Sequence, residues 1–254
     1  MCSGLGVTCA PGCNGQLSPE AQRLLEAGKL AYQNGDDRTA VDKMDLFLKS
    51  HARGKCADEA LYYRGLARYR MGDLAGAKAD LQESLARTRQ KPVRIRATMA
   101  LGDLAYDTGD LAAAERLYLE ALKDVDARKE PADHANYRLG CTLQRQGRWK
   151  EADAYFDRVL YLFGGTELAK RSATHVRCTA WTVQAGAYKN KSRAEAAAAA
   201  LKQQTMSAST QPTLRDGELV FIVTVGRFHT FDKAEAELPK VRRHYADAFI
   251  TTMR

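Results

Sequence analysis

The residue types that most often hold a metal or act as nucleophiles are scattered through this chain. Six cysteines (Cys2, Cys9, Cys13, Cys56, Cys141, Cys178) and five histidines (His51, His134, His175, His229, His244) are present. A zinc site needs paired thiolates or imidazoles at short spacing. Cys9 and Cys13 form a lone C-x3-C with no second pair and no histidine to complete it. They are read as a local disulfide or as residues without a role. Cys56, Cys141 and Cys178 are read as small buried residues. No histidine has a nucleophile partner at motif spacing, and no phosphate-cradling glycine loop or nucleophile elbow occurs. The expectation is no enzyme, no metal and no cofactor, which leaves recognition chemistry.

That chemistry is concentrated near the C-terminus. The net charge is +8, and residues 170–254 hold 14 of the 39 basic residues but only 7 of the 31 acidic ones. Such asymmetry points to an anionic or polymeric partner. Arg177, Lys189, Lys191, Arg193, Arg227 and Arg243 belong to this surplus. The same region holds two related stretches, "WTVQAGAY" (181–188) and "FIVTVGRF" (221–228). At an offset of 40, Val183 matches Val223, Gly186 matches Gly226 and Tyr188 matches Phe228. The match runs on into helices, with Ala194-Glu195-Ala196 against Ala234-Glu235-Ala236 and Leu201 against Val241. Each half reads strand, loop, helix. With "QPTLR" and "DAFITTM" as further strands, the order is β-α-β-β-α-β, a ferredoxin-like sandwich. Alternation turns Trp181, Val183, Ala185, Phe221, Val223 and Val225 toward the helices. It leaves Thr182, Gln184, Gly186, Val220, Ile222, Thr224 and Gly226 on an open face. RNA-binding modules of this topology stack bases on aromatics of the central strands. No aromatic falls on the predicted open face, so nucleic acid is not an expected partner, and an RNA-binding module is the weaker alternative.

The elements ahead of this sandwich are helical and repeat. "AGKLAYQNGDDRTAVDKM", "RGLARYRMGDLAGAKADL", "LGDLAYDTGDLAAAERLY" and "LGCTLQRQGRWKEADAYF" superpose with periods of 37, 37 and 38. In each, a glycine (Gly28, Gly65, Gly102, Gly140) is followed seven residues on by a second (Gly35, Gly72, Gly109, Gly147). Five residues further comes an alanine (Ala40, Ala77, Ala114, Ala152). Small residues allow two helices to cross closely, and the second glycine suits a left-handed helix terminus. Asp36, Asp73 and Asp110 then stand where a helix N-cap is expected, with Arg148 in the fourth repeat. Met44, Leu81, Tyr118 and Phe156 follow each alanine by four and extend its inward stripe.

The repeat resembles the tetratricopeptide repeat, a helix-turn-helix unit of about 34 residues. The resemblance implies a right-handed superhelix that binds a protein or peptide on its concave side, lined by first-helix residues. By equivalence these are Lys29, Tyr32, Tyr69, Arg70, Asp103, Tyr106, Asp107 and Arg145. The other reading is that the tyrosines wedge between adjacent helices. The C-terminal duplication, W-x-V-Q-x-G-x-[YF] and then V-x-V-G-x-F with its A-E-A helix, resembles a SPOR domain. That resemblance implies binding to peptidoglycan glycan strands stripped of stem peptides, at division sites of a bacterial envelope. Gln184 matches the family's glutamine. Ala187 stands where serine is frequent, and Val220 and Ile222 stand where an aromatic and an arginine are frequent. With Thr182 and Thr224 these form the implied glycan site.

The expected fold is mainly α with a C-terminal α+β domain. The expected organisation is an N-terminal segment (1–17), four repeats (18–165), a linking or capping segment (166–176) and a SPOR-like domain (177–254). The expected role is a non-enzymatic envelope adaptor in the periplasm. The alternative is a pure scaffold whose C-terminal sheet binds protein. No apolar run approaches the roughly 20 residues of a membrane span, and no signal peptide is visible. Cys2 in "MCSG" is a candidate lipid anchor.

Overall fold

A computed structural model of the protein describes residues 17–254, except residues 55 and 216. The readings of Cys2, Cys9, Cys13 and residues 1–16 therefore lie outside the described residues. Contacts divide the chain into two units, one ending at Asp124 and one beginning at Val125.

The N-terminal unit is three helical hairpins: α1 (Pro19–Gln33) with α2 (Asp37–His51), α3 (Ala57–Arg70) with α4 (Leu74–Arg87), and α5 (Lys91–Asp107) with α6 (Leu111–Asp124). Each hairpin packs on the next through α2 against α3 and α4 against α5. The repeat spacing is accounted for atom by atom. Ala40, Ala77 and Ala114 are fully buried. A Cβ placed on Gly102 would lie 2.8 Å from the Tyr118 ring, so the missing side chain makes room for the large residue sixteen positions later. Gly28 does the same for Met44, and Gly65 for Leu81. The second glycines close the first helices with φ between 82° and 84°. The carboxylates of Asp36, Asp73 and Asp110 then accept from the backbone N–H three residues on, satisfying a donor that the helix leaves unpaired.

The C-terminal unit begins with the fourth hairpin, α7 (Ala132–Arg145) and α8 (Trp149–Leu162), and a short helix α9 (Glu167–His175) that packs on it. The sequence alone reads 166–176 as a linking or capping segment; Thr166 caps α9 there, accepting from the Ala169 N–H. Next come β1 (Ala180–Tyr188), α10 (Lys191–Gln203), β2 (Ala208–Arg215), β3 (Glu218–Phe228), α11 (Phe231–Arg242) and β4 (Phe249–Met253). The strands form one antiparallel sheet in the order β2-β3-β1-β4. This is the order of a β-α-β-β-α-β sandwich. Val183, Ala185, Val223 and Val225 meet Ala194, Ala198 and Leu201 of α10 and Val241 of α11 in its core.

Candidate functional site

Register decides which side chains share the sheet face away from the helices. Gln184 pairs with Thr224 of β3 and with Phe249 of β4, and Thr224 pairs with Ser209 of β2. Directly paired residues of antiparallel strands lie on one face. The face therefore carries Thr182, Gln184, Val220, Ile222 and Thr224 together, flanked by Gln211 and Thr213 of β2 and by Phe249 and Thr251 of β4. The register of β1 against β3 shifts between Gln184 and Gly186, which makes Ala185 an extra residue in β1. Ala187 consequently pairs with Ile222 and joins the same face, and it is exposed.

The bulge also corrects the placement of Gly186. Strict alternation puts Gly186 on the open face, but it pairs with the core residue Val223 and so belongs to the helix side. Gly226 sits in the second irregularity, with φ of +73°, rather than as a bare patch on the face. Nor is the face open throughout. Thr182 is 1% exposed, Gln184 and Thr224 5%, and Val220 9%. The Thr182 hydroxyl donates to the carbonyls of Val225 (3.1 Å) and Gly226 (2.8 Å). Thr224 and Ser209 share a hydroxyl–hydroxyl bond of 3.0 Å. The accessible part is the end around Ala187, Ile222 and Phe249. Phe249 is 45% exposed and is an aromatic that the sequence reading did not place on this face. Its signal was the alternation of "FITTM", which becomes informative only once β4 is registered against β1.

The opposite side of β1 is anchored in the fourth hairpin. Trp181 packs on Trp149 of α8 with ring centroids 5.5 Å apart and edge-on to Phe231 at 5.2 Å. The Trp181 indole N–H donates to the Gln144 carbonyl, and that of Trp149 to the His229 carbonyl, each at 3.0 Å. The Gln144 side-chain NH₂ donates to the His175 carbonyl at 2.8 Å, and its Oε1 lies 2.8 Å from His175 Nδ1. Gln144 Oε1 can only accept, so Nδ1 carries the proton. The His175 ring stacks on Phe156 with centroids 5.3 Å apart.

Burial holds the His175 imidazole below its ordinary pKa, because the cation would lose its hydration there. As pH falls through about 6.5 the unfolded chain takes up this proton before the folded one does. The stability that a neutral His175 contributes is thus complete above that pH and is lost as pH drops further. Unfolding of the C-terminal unit, followed by tryptophan fluorescence, should occur at lower urea at pH 5.5 than at pH 7.5. The difference should shrink in His175→Gln.

The partner-facing residues expected in the repeats are largely engaged with one another. Lys29 is 5% exposed and pairs with Glu59 at 2.9 Å and Glu26 at 3.2 Å. Arg70 lies 3.8 Å over the Tyr32 ring, donates through Nε to Asp37 at 2.7 Å and reaches the Tyr32 carbonyl at 2.6 Å. The Tyr69 hydroxyl donates to Asp107, and that of Tyr118 to Asp103 at 2.6 Å. Tyr32, Tyr69 and Tyr106 are half-buried. Lys29, Tyr32, Tyr69, Arg70, Asp103, Tyr106 and Asp107 all lie on first helices of the N-terminal unit. In the C-terminal unit the Arg145 guanidinium lies 4.5 Å over the Phe231 ring of α11. Of the basic surplus, Lys189 pairs with Glu218 at 2.5 Å and Lys191 with Glu195 at 3.5 Å. Arg227 donates to the Thr179 hydroxyl at 2.5 Å. Among the described residues no cluster of histidine, cysteine or carboxylate side chains could hold a metal.

Comparison with known proteins agrees with this architecture. The tetratricopeptide repeat model matches residues 62–130 and 99–165, and the SPOR domain model matches residues 179–252. A crystal structure of a MamA protein is 16% identical and covers 63% of this chain and 80% of its own, with a TM-score of 0.52. A tetratricopeptide repeat protein from Parabacteroides merdae ATCC 43184 is 17% identical and covers 61% and 58%, with a TM-score of 0.51. These likenesses bear on the fold alone. No curated protein matches the sequence. No helix among the described residues is long and apolar enough to cross a membrane. The chain is an array of tetratricopeptide repeats followed by a C-terminal SPOR domain.

Proposed function

We propose that the protein is a non-enzymatic adaptor of the bacterial envelope. Its SPOR sheet holds peptidoglycan glycan strands freed of stem peptides, and its repeats hold a protein partner. Division sites, where such strands concentrate, are its place of action. The observation that carries the reading is the sheet face itself. At its accessible end the exposed Gln211 of β2 adjoins apolar Ile222 and Ala187, on the same surface as Phe249 and the Gln184 amide. Sugars need both kinds of contact, polar groups for their hydroxyls and flat apolar surface for their ring faces.

The full chain should sediment with isolated sacculi, and more of it should do so after amidase removes the stem peptides. Gln184→Glu should cut the bound fraction roughly tenfold, the worth of one charge-mismatched contact of about 1.4 kcal/mol. Binding that does not rise after amidase treatment sinks the stripped-glycan mechanism. No sedimentation at all favours the scaffold reading, in which the sheet binds protein. The RNA-module reading is weakened by the face itself, since Phe249 stands on edge strand β4 and not on the two central strands.

A further inference from the structure

Strand β4 covers β1 only as far as Gln184, which pairs with Phe249. The four residues of β1 beyond that point, Ala185 to Tyr188, border a cavity of about 410 Å³. Its other wall is Tyr245, Ala246, Asp247 and Phe249. The space exists because the β1 wall is built of small residues. The volume falls at the lower end of the range of about 300–1,000 Å³ for small-ligand sites. The wall chemistry is that of a saccharide site: an exposed aromatic ring (Phe249), a side-chain amide (Gln184), tyrosines at 188 and 245, and one carboxylate. Asp247 is the one charged group among the described residues lining it, and it is exposed.

The sign of that charge matters. A stripped peptidoglycan strand alternates two amino sugars, one of which bears a lactyl carboxylate. A carboxylate repels a second one at contact distance, whereas it accepts hydrogen bonds from hydroxyl and acetamido N–H groups. The rest of the domain is basic and suits the lactyl groups. We infer that the notch between β1 and the α11–β4 loop is a saccharide subsite that takes the carboxylate-free sugar. Asp247 thereby fixes the register in which the strand crosses the sheet. This inference rests on the glycan-binding reading above.

The probe is a tetrasaccharide of the stripped glycan, bound to the full chain and observed by NMR and titration calorimetry. Phe249 and Asp247 are both exposed, so their variants keep the fold. The wild-type Phe249 ring should show NOEs to an acetamido methyl and none to a lactyl methyl. Phe249→Ala should weaken binding about tenfold, the scale of one aromatic contact. Asp247→Lys should bring lactyl-methyl NOEs onto the Phe249 ring as the register shifts by one sugar. Lactyl-methyl NOEs in the wild type overturn the register claim. Wild-type affinity in both Phe249→Ala and Asp247→Lys, with the wild type binding the tetrasaccharide, overturns the notch and leaves the glycan reading standing. Failure of the wild type to bind the tetrasaccharide overturns both.

Discussion

Trp181→Ala should destabilise the C-terminal unit by about 3–5 kcal/mol, the usual cost of deleting a buried tryptophan side chain. Trp181 is 7% exposed, and its ring fills the space between Trp149, Phe231 and Ala234. Truncation leaves a cavity that two helices and a strand cannot all close. It also removes the indole N–H that the Gln144 carbonyl accepts at 3.0 Å, although the Gly147 N–H at 2.9 Å still satisfies that carbonyl. The chain has two tryptophans, so in this variant Trp149 alone reports unfolding. The urea midpoint of its fluorescence transition should fall by more than about 1 M, given slopes of about 1–3 kcal/mol per M. Trp181→Phe keeps most of the apolar contact and loses the N–H, so it should fall in between. A midpoint unchanged in Trp181→Ala would mean that the sheet domain stands without its anchor on α8. The functional consequence follows from β1, which carries Trp181 on one face and Gln184 on the other. A loosened Trp181 loosens the register that brings Gln184 between Thr224 and Phe249, so glycan binding should weaken with stability.

Much of this was legible in the sequence because its causes are local. The 37-residue repeat could be read since Gly102 and Tyr118, or Gly28 and Met44, meet within one hairpin at fixed spacing. The duplicated strands could be read since core residues alternate. What escaped depends on events that leave no period. One extra residue at Ala185 turns Gly186 inward and Ala187 outward, and alternation counted by twos cannot see it. Phe249 acquired its meaning from the register of β4. Arg145 is assigned by equivalence with earlier repeats, whereas its contact with the Phe231 ring arises only in the folded C-terminal unit.

Asp80→Ala should cost the N-terminal unit about as much, about 3–5 kcal/mol, for an electrostatic reason. The Asp80 carboxylate is 4% exposed. It accepts two parallel bonds from Arg64, Nε to Oδ2 at 2.8 Å and Nη2 to Oδ1 at 2.6 Å. Arg68 adds a third at 2.8 Å. Arg64 is itself largely buried and reaches Asp45 of the preceding hairpin at 2.5 Å. The carboxylate therefore ties α3 to α4, and through Arg64 to α2. Without it, Arg64 keeps only the half-exposed Asp45 and Arg68 keeps Asp73 at 3.8 Å, so the desolvation of Arg64 is less well offset. Asp80→Asn keeps one acceptor but turns an NH₂ toward donors, so it should recover little. At about 4–8 °C per kcal/mol for a unit of this size, the far-UV CD melting temperature of the full chain should fall by more than roughly 10 °C. The partners are mostly shielded from solvent, so moderate salt should change the loss little. Both tryptophans belong to the C-terminal unit, so their fluorescence supplies an internal control that should move far less. A fall of under about 4 °C by CD would show that Arg64 and Arg68 find other partners, and that the bond network around Asp80 does not hold the hairpins together.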